Sequence, residues 1–248
     1  MTFDASKIKF PTRVSVTDQN IDIANLTETQ QKYYLELFVK IVALYEAGGK
    51  PRYILGFTGP SGSGKSVIGA LLLSIARQAQ LPFGFEVLGI DAFHFNNEYL
   101  LSQKSGEKTL KDYKGRFDTY DVATLTQTLK NFSEGREVAL PHYSRKTHDT
   151  VQNAAVIKEN KTLLLIEGLW LLYDRAGWQE VGRYLDYAIF VDSEKESVRN
   201  NVIKRHVDGG RTPEDATNYY DTIDAVHSDI VDTTKQRADI VIPSFYKV

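Results

Sequence analysis

The chain contains no cysteine. That excludes disulfides, zinc–thiolate centres and cysteine nucleophiles, and it fits the cytoplasm. No long apolar run occurs either. The longest, Val67 to Ala76, falls far short of the roughly 20 residues a membrane-crossing helix needs. The opening stretch MTFDASKIKFPTR has no apolar core of a secretory leader, so a soluble cytoplasmic protein is expected. Excess charge is scarce: 30 Lys and Arg face 32 Asp and Glu, leaving −2, too little to draw the chain to nucleic acid or an anionic membrane. Neither is expected as a partner. Internal repeats and low-complexity tracts are absent.

At 248 residues, with 42% hydrophobic and 25% charged residues, the chain is long and apolar enough to bury one generous α/β core. Residues 1 to 26 read as extended and irregular. Thr27 and Gln30 make a capping-box pattern ahead of a helix to about Ala47, whose Leu35, Phe38, Ile41, Val42 and Tyr45 recur at helical spacing. Short apolar runs at 52–57, 85–91, 162–168, 187–192 and 238–242 predict five strands covered on both faces, as in a parallel sheet. Helical patterns lie between them: Val67 to Gln80, a segment headed by Asp121, one capped by Ser193 with Glu196, and one opened by Thr212, Pro213 and Asp215. Alternating strands and helices predict a doubly wound α/β domain.

The segment Gly59-Pro60-Ser61-Gly62-Ser63-Gly64-Lys65-Ser66 matches G-x-x-x-x-G-K-[ST], the phosphate-binding P-loop. It follows a predicted strand and opens a predicted helix with Val67, the context the motif requires. Glycines let successive N–H groups turn toward phosphates, and the helix N-terminus adds its positive dipole end. Lys65 is expected at the β- and γ-phosphates of ATP, and the Ser66 hydroxyl on Mg²⁺.

Four classes of protein use this loop: switches, transporter ATPases, motors and kinases. The only Asn-Lys pair, in NKTL at 160, lacks the aspartate of a guanine reader. LSQKSGE at 101 is not a transporter signature, and motors bring larger assemblies. A small-molecule kinase is left. In GIDAFHFNN (89–97), Asp91 closes a strand at the carboxyl edge of the sheet, where ligands bind. It would accept the proton of an attacking hydroxyl, with Phe93, His94 and Phe95 as the near wall of the acceptor pocket; the alternative is that it caps the following turn. Glu167, ending the apolar strand of LLLIEGLWLL, is costly to bury unless paired or metal-bound. Mg²⁺ between Ser66 and Glu167 would supply the partner; the alternative is a helix-capping glutamate.

Taken together, GPSGSGKS, DAFHFNN, FDTYDV, PHYSRKTHD and IEGLWLL resemble, in order and spacing, the phosphoribulokinase/uridine kinase family of P-loop kinases. The resemblance spans about residues 52 to 242 and is nearest the branch labelled nucleoside- or fructose-transport-system kinase-like, with pantothenate kinase among the relatives. It implies Asp91 as general base and Glu167 as the assistant of Mg²⁺ and acceptor. It also implies Pro141, Tyr143, Arg145 and His148 along the acceptor site, and Arg116, Phe117, Tyr120 and Asp121 at the pocket border. Asp121 is equally an N-cap for the helix after it. A lid is expected over about 198–216, where Arg199, Lys204, Arg205 and Arg211 lie; Arg205 first and Arg211 second are expected at the phosphates. Past TPEDA the chain reads TNYYDTIDAVHSDIV, which departs from the family pattern on the acceptor side of the lid.

The resemblance thus implies a P-loop NTPase fold: a doubly wound, mostly parallel five-stranded sheet with helices on both faces and a helical lid. Residues 1–50 would form an extension with a helix packing on the core, and 51–248 the kinase domain. The expected reaction is ATP-dependent phosphoryl transfer to an alcohol of a sugar- or nucleoside-like small molecule. A uridine/cytidine kinase proper and a nucleotide-sensing module without phosphotransfer are the rivals. Lys104, Lys108, Lys111, Lys114 and Arg116 crowd five cations just past Asp91, which suits either an anionic acceptor or a solvated loop. The N-terminal helix could serve a homodimer.

Overall fold

The computed structural model describes residues 7–144, 149–158 and 160–247. Strands β1 (Arg13–Val16) and β2 (Gln19–Asp22) form an antiparallel hairpin where the sequence predicts irregular chain. Val14 and Val16 point inward while Arg13 and Ser15 face out, a period-two pattern too short to recognise by itself. Helix α1 (Glu28–Gly48) begins with the predicted Thr27–Gln30 capping box and ends at Gly49, in the left-handed conformation. Its buried face carries Tyr34, Leu37, Phe38, Ile41, Val42 and Tyr45, with Leu35 only half-buried at its edge.

β3 (Arg52–Thr58) leads into the phosphate loop, and α2 (Lys65–Ala79) starts two residues earlier than the apolar pattern suggests. β4 (Gly84–Gly89) ends before Asp91, which sits on a 3₁₀ turn over Ile90–Phe93 rather than in the strand. The segment between this turn and the next long helix holds α3 (Asn97–Ser102) and the short strands β5 (Lys104–Ser105) and β6 (Lys108–Thr109). α4 (Val122–Ser133) follows, capped by Asp121. The hairpin of β7 (Val138–Ser144) and β8 (Asp149–Ile157) is absent from the sequence reading. Its register shifts between Leu140 and His142, at Pro141, which has no N–H to give a ladder. That proline disguises the strand.

β9 (Thr162–Glu167), α5 (Trp178–Gly182) and β10 (Tyr187–Asp192) complete the central layers. α6 (Lys195–Asp208) starts from Glu194, which makes no side-chain cap, so the expected Ser193–Glu196 box does not form. Glu194 stands at the N-cap outside helical geometry, and its carboxylate takes Lys247 at 3.0 Å. α7 (Pro213–Tyr219) opens on Thr212 as predicted and runs through a π-helical turn, Tyr220–Asp224, into α8 (Ala225–Asp232). β11 (Ile240–Pro243) closes the sheet.

The five-stranded sheet has the order β11–β10–β3–β9–β4, every pair parallel. After β3 the chain crosses over β9 to reach β4; after β9 it crosses β3 to reach β10. Ligands of open α/β sheets bind at such a switch, outside the carboxyl ends of the strands. Alternate residues feed two cores. Tyr53, Leu55, Phe57, Leu163 and Leu165 pack with α1 and α2, through Phe38, Ile41, Leu71 and Ile75. Ile54, Leu164, Ile166 and Phe190 pack with Leu125, Leu129 and Phe132 of α4 and with Trp170 and Trp178. With both faces covered the strands read as unbroken apolar runs, and each buried Leu or Phe stabilises the fold by about 1.5–3 kcal/mol. Among the described residues, no helix is long and apolar enough to cross a membrane.

Candidate active site at the carboxyl edge of the sheet

The loop between β3 and α2 fits its surroundings because glycine stands at its tight points. A Cβ on Gly59 (φ +144°) would lie 2.4 Å from the Val191 carbonyl oxygen of β10. One on Gly62 (φ +78°) would meet the Val202 side chain at 2.6 Å and the Val198 carbonyl at 2.9 Å, both on α6. Asn201 of α6 donates to the Gly62 carbonyl (2.8 Å), and Arg205 donates from Nη2 to Ser61 Oγ (2.8 Å). Sequence reading did not single out Asn201. The C-terminal residues Ser244 and Tyr246 also border the loop, beside Gly64.

Lys65 is buried, and its Nζ donates to the carbonyls of Gly59 (2.8 Å) and Pro60 (2.7 Å). Burial lowers its pKa to about 8, against the attraction of Glu167 and Asp91. The Ser66 hydroxyl donates to Glu167 Oε1 at 2.8 Å. Glu167 pairs in register with Phe57 of β3 and Gly89 of β4, so it stands between the strand that feeds the loop and the strand that leads to Asp91.

Asp91 accepts from Tyr120 Oη at 3.1 Å, and its side chain is half exposed. Burial holds the Tyr120 hydroxyl protonated, its pKa raised well above 10. His94 lies beneath, its Nε2 3.7 Å from Asp91 Oδ1 and its ring stacked on Tyr120 at 3.8 Å. His94 Nδ1 contacts the Thr119 carbonyl at 3.0 Å, and burial pushes the ring pKa down to about 4. The imidazole is therefore neutral at pH 7, and donation from Nδ1 to Thr119 leaves Nε2 as an acceptor facing the carboxylate. Tyr143 of β7 stands 6.1 Å from the His94 ring, centre to centre.

The other expected site residues lie variously. Phe93 is turned into the second core, and Phe117 packs on Trp170 and Tyr173 while its carbonyl accepts from Trp178 Nε1. Arg116 forms a two-point pair with Asp118. Asp121 realises its capping alternative, both carboxylate oxygens taking Thr124, at its N–H (2.9 Å) and hydroxyl (2.7 Å). Among the cations expected on a lid, Lys204 pairs with Asp208 one turn on, Arg199 with Asp221, and Arg211 lies 4.0 Å over the Tyr219 ring. Arg145 and His148 fall outside the described residues.

Two relatives and one solved structure set this geometry in a family. The uncharacterized protein YggC of Escherichia coli (strain K12) is 28% identical over 231 residues, covering 93% of this chain and 91% of its own. A uridine kinase of Cronobacter sakazakii is 30% identical, covering 77% of this chain and 86% of its own. The crystal structure of YFH7 from Saccharomyces cerevisiae shares the fold with a TM-score of 0.72 at 15% identity, over 86% of this chain and 99% of that one. The profile of the Phosphoribulokinase / Uridine kinase family matches residues 54–248, from β3 through the loop to the last strand. With its phosphate loop, parallel sheet and strand-edge carboxylates in that span, the chain belongs to the phosphoribulokinase/uridine kinase family of P-loop kinases.

Proposed function

We propose that this chain transfers the γ-phosphoryl group of ATP to an alcohol of a sugar- or nucleoside-like small molecule, with Asp91 as general base. One observation carries the reading: Glu167, closing β9, accepts from Ser66 of the phosphate loop at 2.8 Å, while Asp91, on the turn just past the neighbouring β4, accepts from Tyr120 at 3.1 Å with its side chain half exposed. The residues suit Mg²⁺ and a triphosphate. Ser66 Oγ and Glu167 Oε1 are 2.8 Å apart, close to the about 2.9 Å between neighbouring ligands of an octahedron with 2.0–2.1 Å bonds. Among the described residues no three His, Asp or Glu side chains group to hold a metal, and Mg²⁺ commonly shares one or two protein ligands with phosphates and water.

When bound, Mg·ATP supplies the transferable group and shields its charge. The loop amides and Lys65 orient the phosphates, and Arg205, held at the loop by Ser61, offsets charge spreading over the transferring group. Arg211 is the second candidate for that task, and residues 198–216 the lid that brings both. Asp91, oriented by Tyr120, takes the acceptor's hydroxyl proton while oxygen bonds to phosphorus and the bridge to the departing ADP breaks. Tyr143 and His94 line the acceptor side. Residues 51–248 form the catalytic unit and 1–50 an extension of it.

Asp91→Asn should lower turnover about 10²–10⁴-fold in a coupled ADP-release assay while ATP still binds. Unchanged turnover would remove Asp91 from the chemistry. A uridine/cytidine kinase proper is the second reading, favoured by the 30% identity to a uridine kinase. Nucleosides tested against sugars and sugar acids separate the two. A nucleotide-sensing module would instead bind ATP and release no acceptor-dependent ADP.

A further inference from the structure

We propose that the β1–β2 hairpin, which lies outside residues 51–248, completes the acceptor side of the site. Asp18 at its tip is a positioning residue that holds the end of β7, and Tyr143 on it, against the layer of the phosphate-loop helix. The inference rests on the kinase reading of the site and gives the N-terminal extension a part in the reaction.

Strand alternation separates the side chains at the end of β7. Tyr143 faces inward, toward the His94 ring and the second core. His142 and Ser144, on either side of it, therefore point to the opposite face. There both meet one carboxylate. Asp18 Oδ2 accepts from the Ser144 hydroxyl at 2.9 Å, and Asp18 Oδ1 lies 3.4 Å from His142 Nε2. The two contacts bracket Tyr143.

The rest of the hairpin is seated on the phosphate side. Val14 and Val16 of β1 belong to the core shared with Ile68, Leu71 and Ile75 of α2. Just past β2, Ile23 and Leu26 line a small cavity with Val67 and Ile68 from the first turn of α2. The hairpin thus runs from the helix that leaves the phosphate loop to the strand that carries Tyr143. That strand needs outside support. β7 and β8 pair only with each other among the described residues, apart from the central sheet, and a two-stranded ribbon is marginally stable by itself. Its register also shifts between Leu140 and His142, immediately before the residues that Asp18 meets.

The turn that presents Asp18 is strained. Val16 pairs with Gln19, which leaves Thr17 and Asp18 as a two-residue turn. Thr17 takes φ +53°, a left-handed conformation that a β-branched residue adopts only where its surroundings hold it. Glycine or asparagine is the ordinary choice at such a position. The contacts themselves are more than a third exposed at both Asp18 and His142, so they add little to global stability. Their effect falls on where Tyr143 stands.

The test pairs amide exchange with kinetics. Hydrogen–deuterium exchange of peptides covering residues 138–144 should be about three-fold faster or more in Asp18→Ala than in wild type, while peptides of β3 and α2 exchange alike. Steady-state rates are then measured with ATP, Mg²⁺ and, in turn, uridine, cytidine, ribose and glucose. For the acceptor that wild type turns over fastest, Asp18→Ala should raise KM about 3–10-fold and leave kcat and the KM for ATP within about two-fold. A general loss of folded protein would lower kcat instead. Asp18→Asn, whose amide oxygen still accepts from Ser144, should recover most of the loss. Ser144→Ala should raise the same KM, and its effect should not add to that of Asp18→Ala. Equal exchange in wild type and Asp18→Ala would overturn the proposal, and so would faster exchange with an unchanged acceptor KM. Faster exchange in a protein that releases no ADP with any of these acceptors would leave the hold on β7 standing and count against the kinase reading instead.

Discussion

At the scale of single residues, burial sets the chemistry of this site more than charge pairing does. His94 prefers the neutral form by the gap between 6.5 and about 4. The sign follows directly: below pH 6.5 the unfolded chain takes up a proton that the folded ring resists, so stability is complete above 6.5 and is lost as pH falls toward 4. The gap corresponds to about 3 kcal/mol. Urea midpoints measured from pH 7 to 4 should fall more steeply for wild type than for His94→Gln; parallel curves would show that His94 does not titrate this way. Lys65 behaves differently. It is cationic below its value of about 8, the form that the proposed triphosphate role requires. At pH 8 to 9, ATP binding should therefore take up protons, seen as a buffer-dependent enthalpy in calorimetry that disappears in Lys65→Met.

Between elements, the contact to watch is the phosphate loop against α6. Gly62 is packed there with a positive φ, and Asn201 holds its carbonyl. Gly62→Ala adds a methyl where Val202 and the Val198 carbonyl already stand, and a left-handed strained residue costs about 1–3 kcal/mol. Chemical denaturation should show a loss of that size, with ATP affinity falling alongside as the loop separates from α6 and from Arg205. A variant as stable as wild type would mean that the loop can relax without α6. Past α6, Tyr219 of α7 donates to the carbonyls of Asp112 and Lys114 and so ties that helix to the segment after α3.

For the molecule as a whole, two apolar layers cover the parallel sheet whose strand ends carry the proposed site, so a ligand bound there adds its binding free energy to the stability of the fold. Mg·ATP that binds only the folded chain at 100 times its Kd adds about 2.7 kcal/mol of stability. For a chain of this size that is a rise in Tm of roughly 5–10 °C. Thermal melts should show that rise with ATP and Mg²⁺ together and a smaller one when EDTA is added. Glu167→Gln should make the melt less sensitive to EDTA while the Mg²⁺-independent part of the ATP effect persists. If EDTA acts on the variant as on wild type, Glu167 does not hold the metal.

The amino-acid sequence alone settled the strand–loop–helix of the triphosphate site, the five strands and the α1 cap, because each is written in neighbouring residues: glycine spacing, period, a capping pair. It also marked Asp91 and Glu167, which the fold brings to the carboxyl edge of the sheet, and Arg205, which the fold brings to the loop. Local signals failed where pairing partners are distant or short. The β1–β2 and β7–β8 hairpins went unread, and Pro141 hid a strand behind a bulge. Only the tertiary structure drew Lys111 and Lys114 to Asn97, turned Phe93 and Phe117 into the core, and joined Tyr120 to Asp91 and Asn201 to the loop. Those choices depend on which side chains meet across 14 to 139 positions of chain, and on how deeply each is buried, and neither quantity exists until the sheet has closed over its helices.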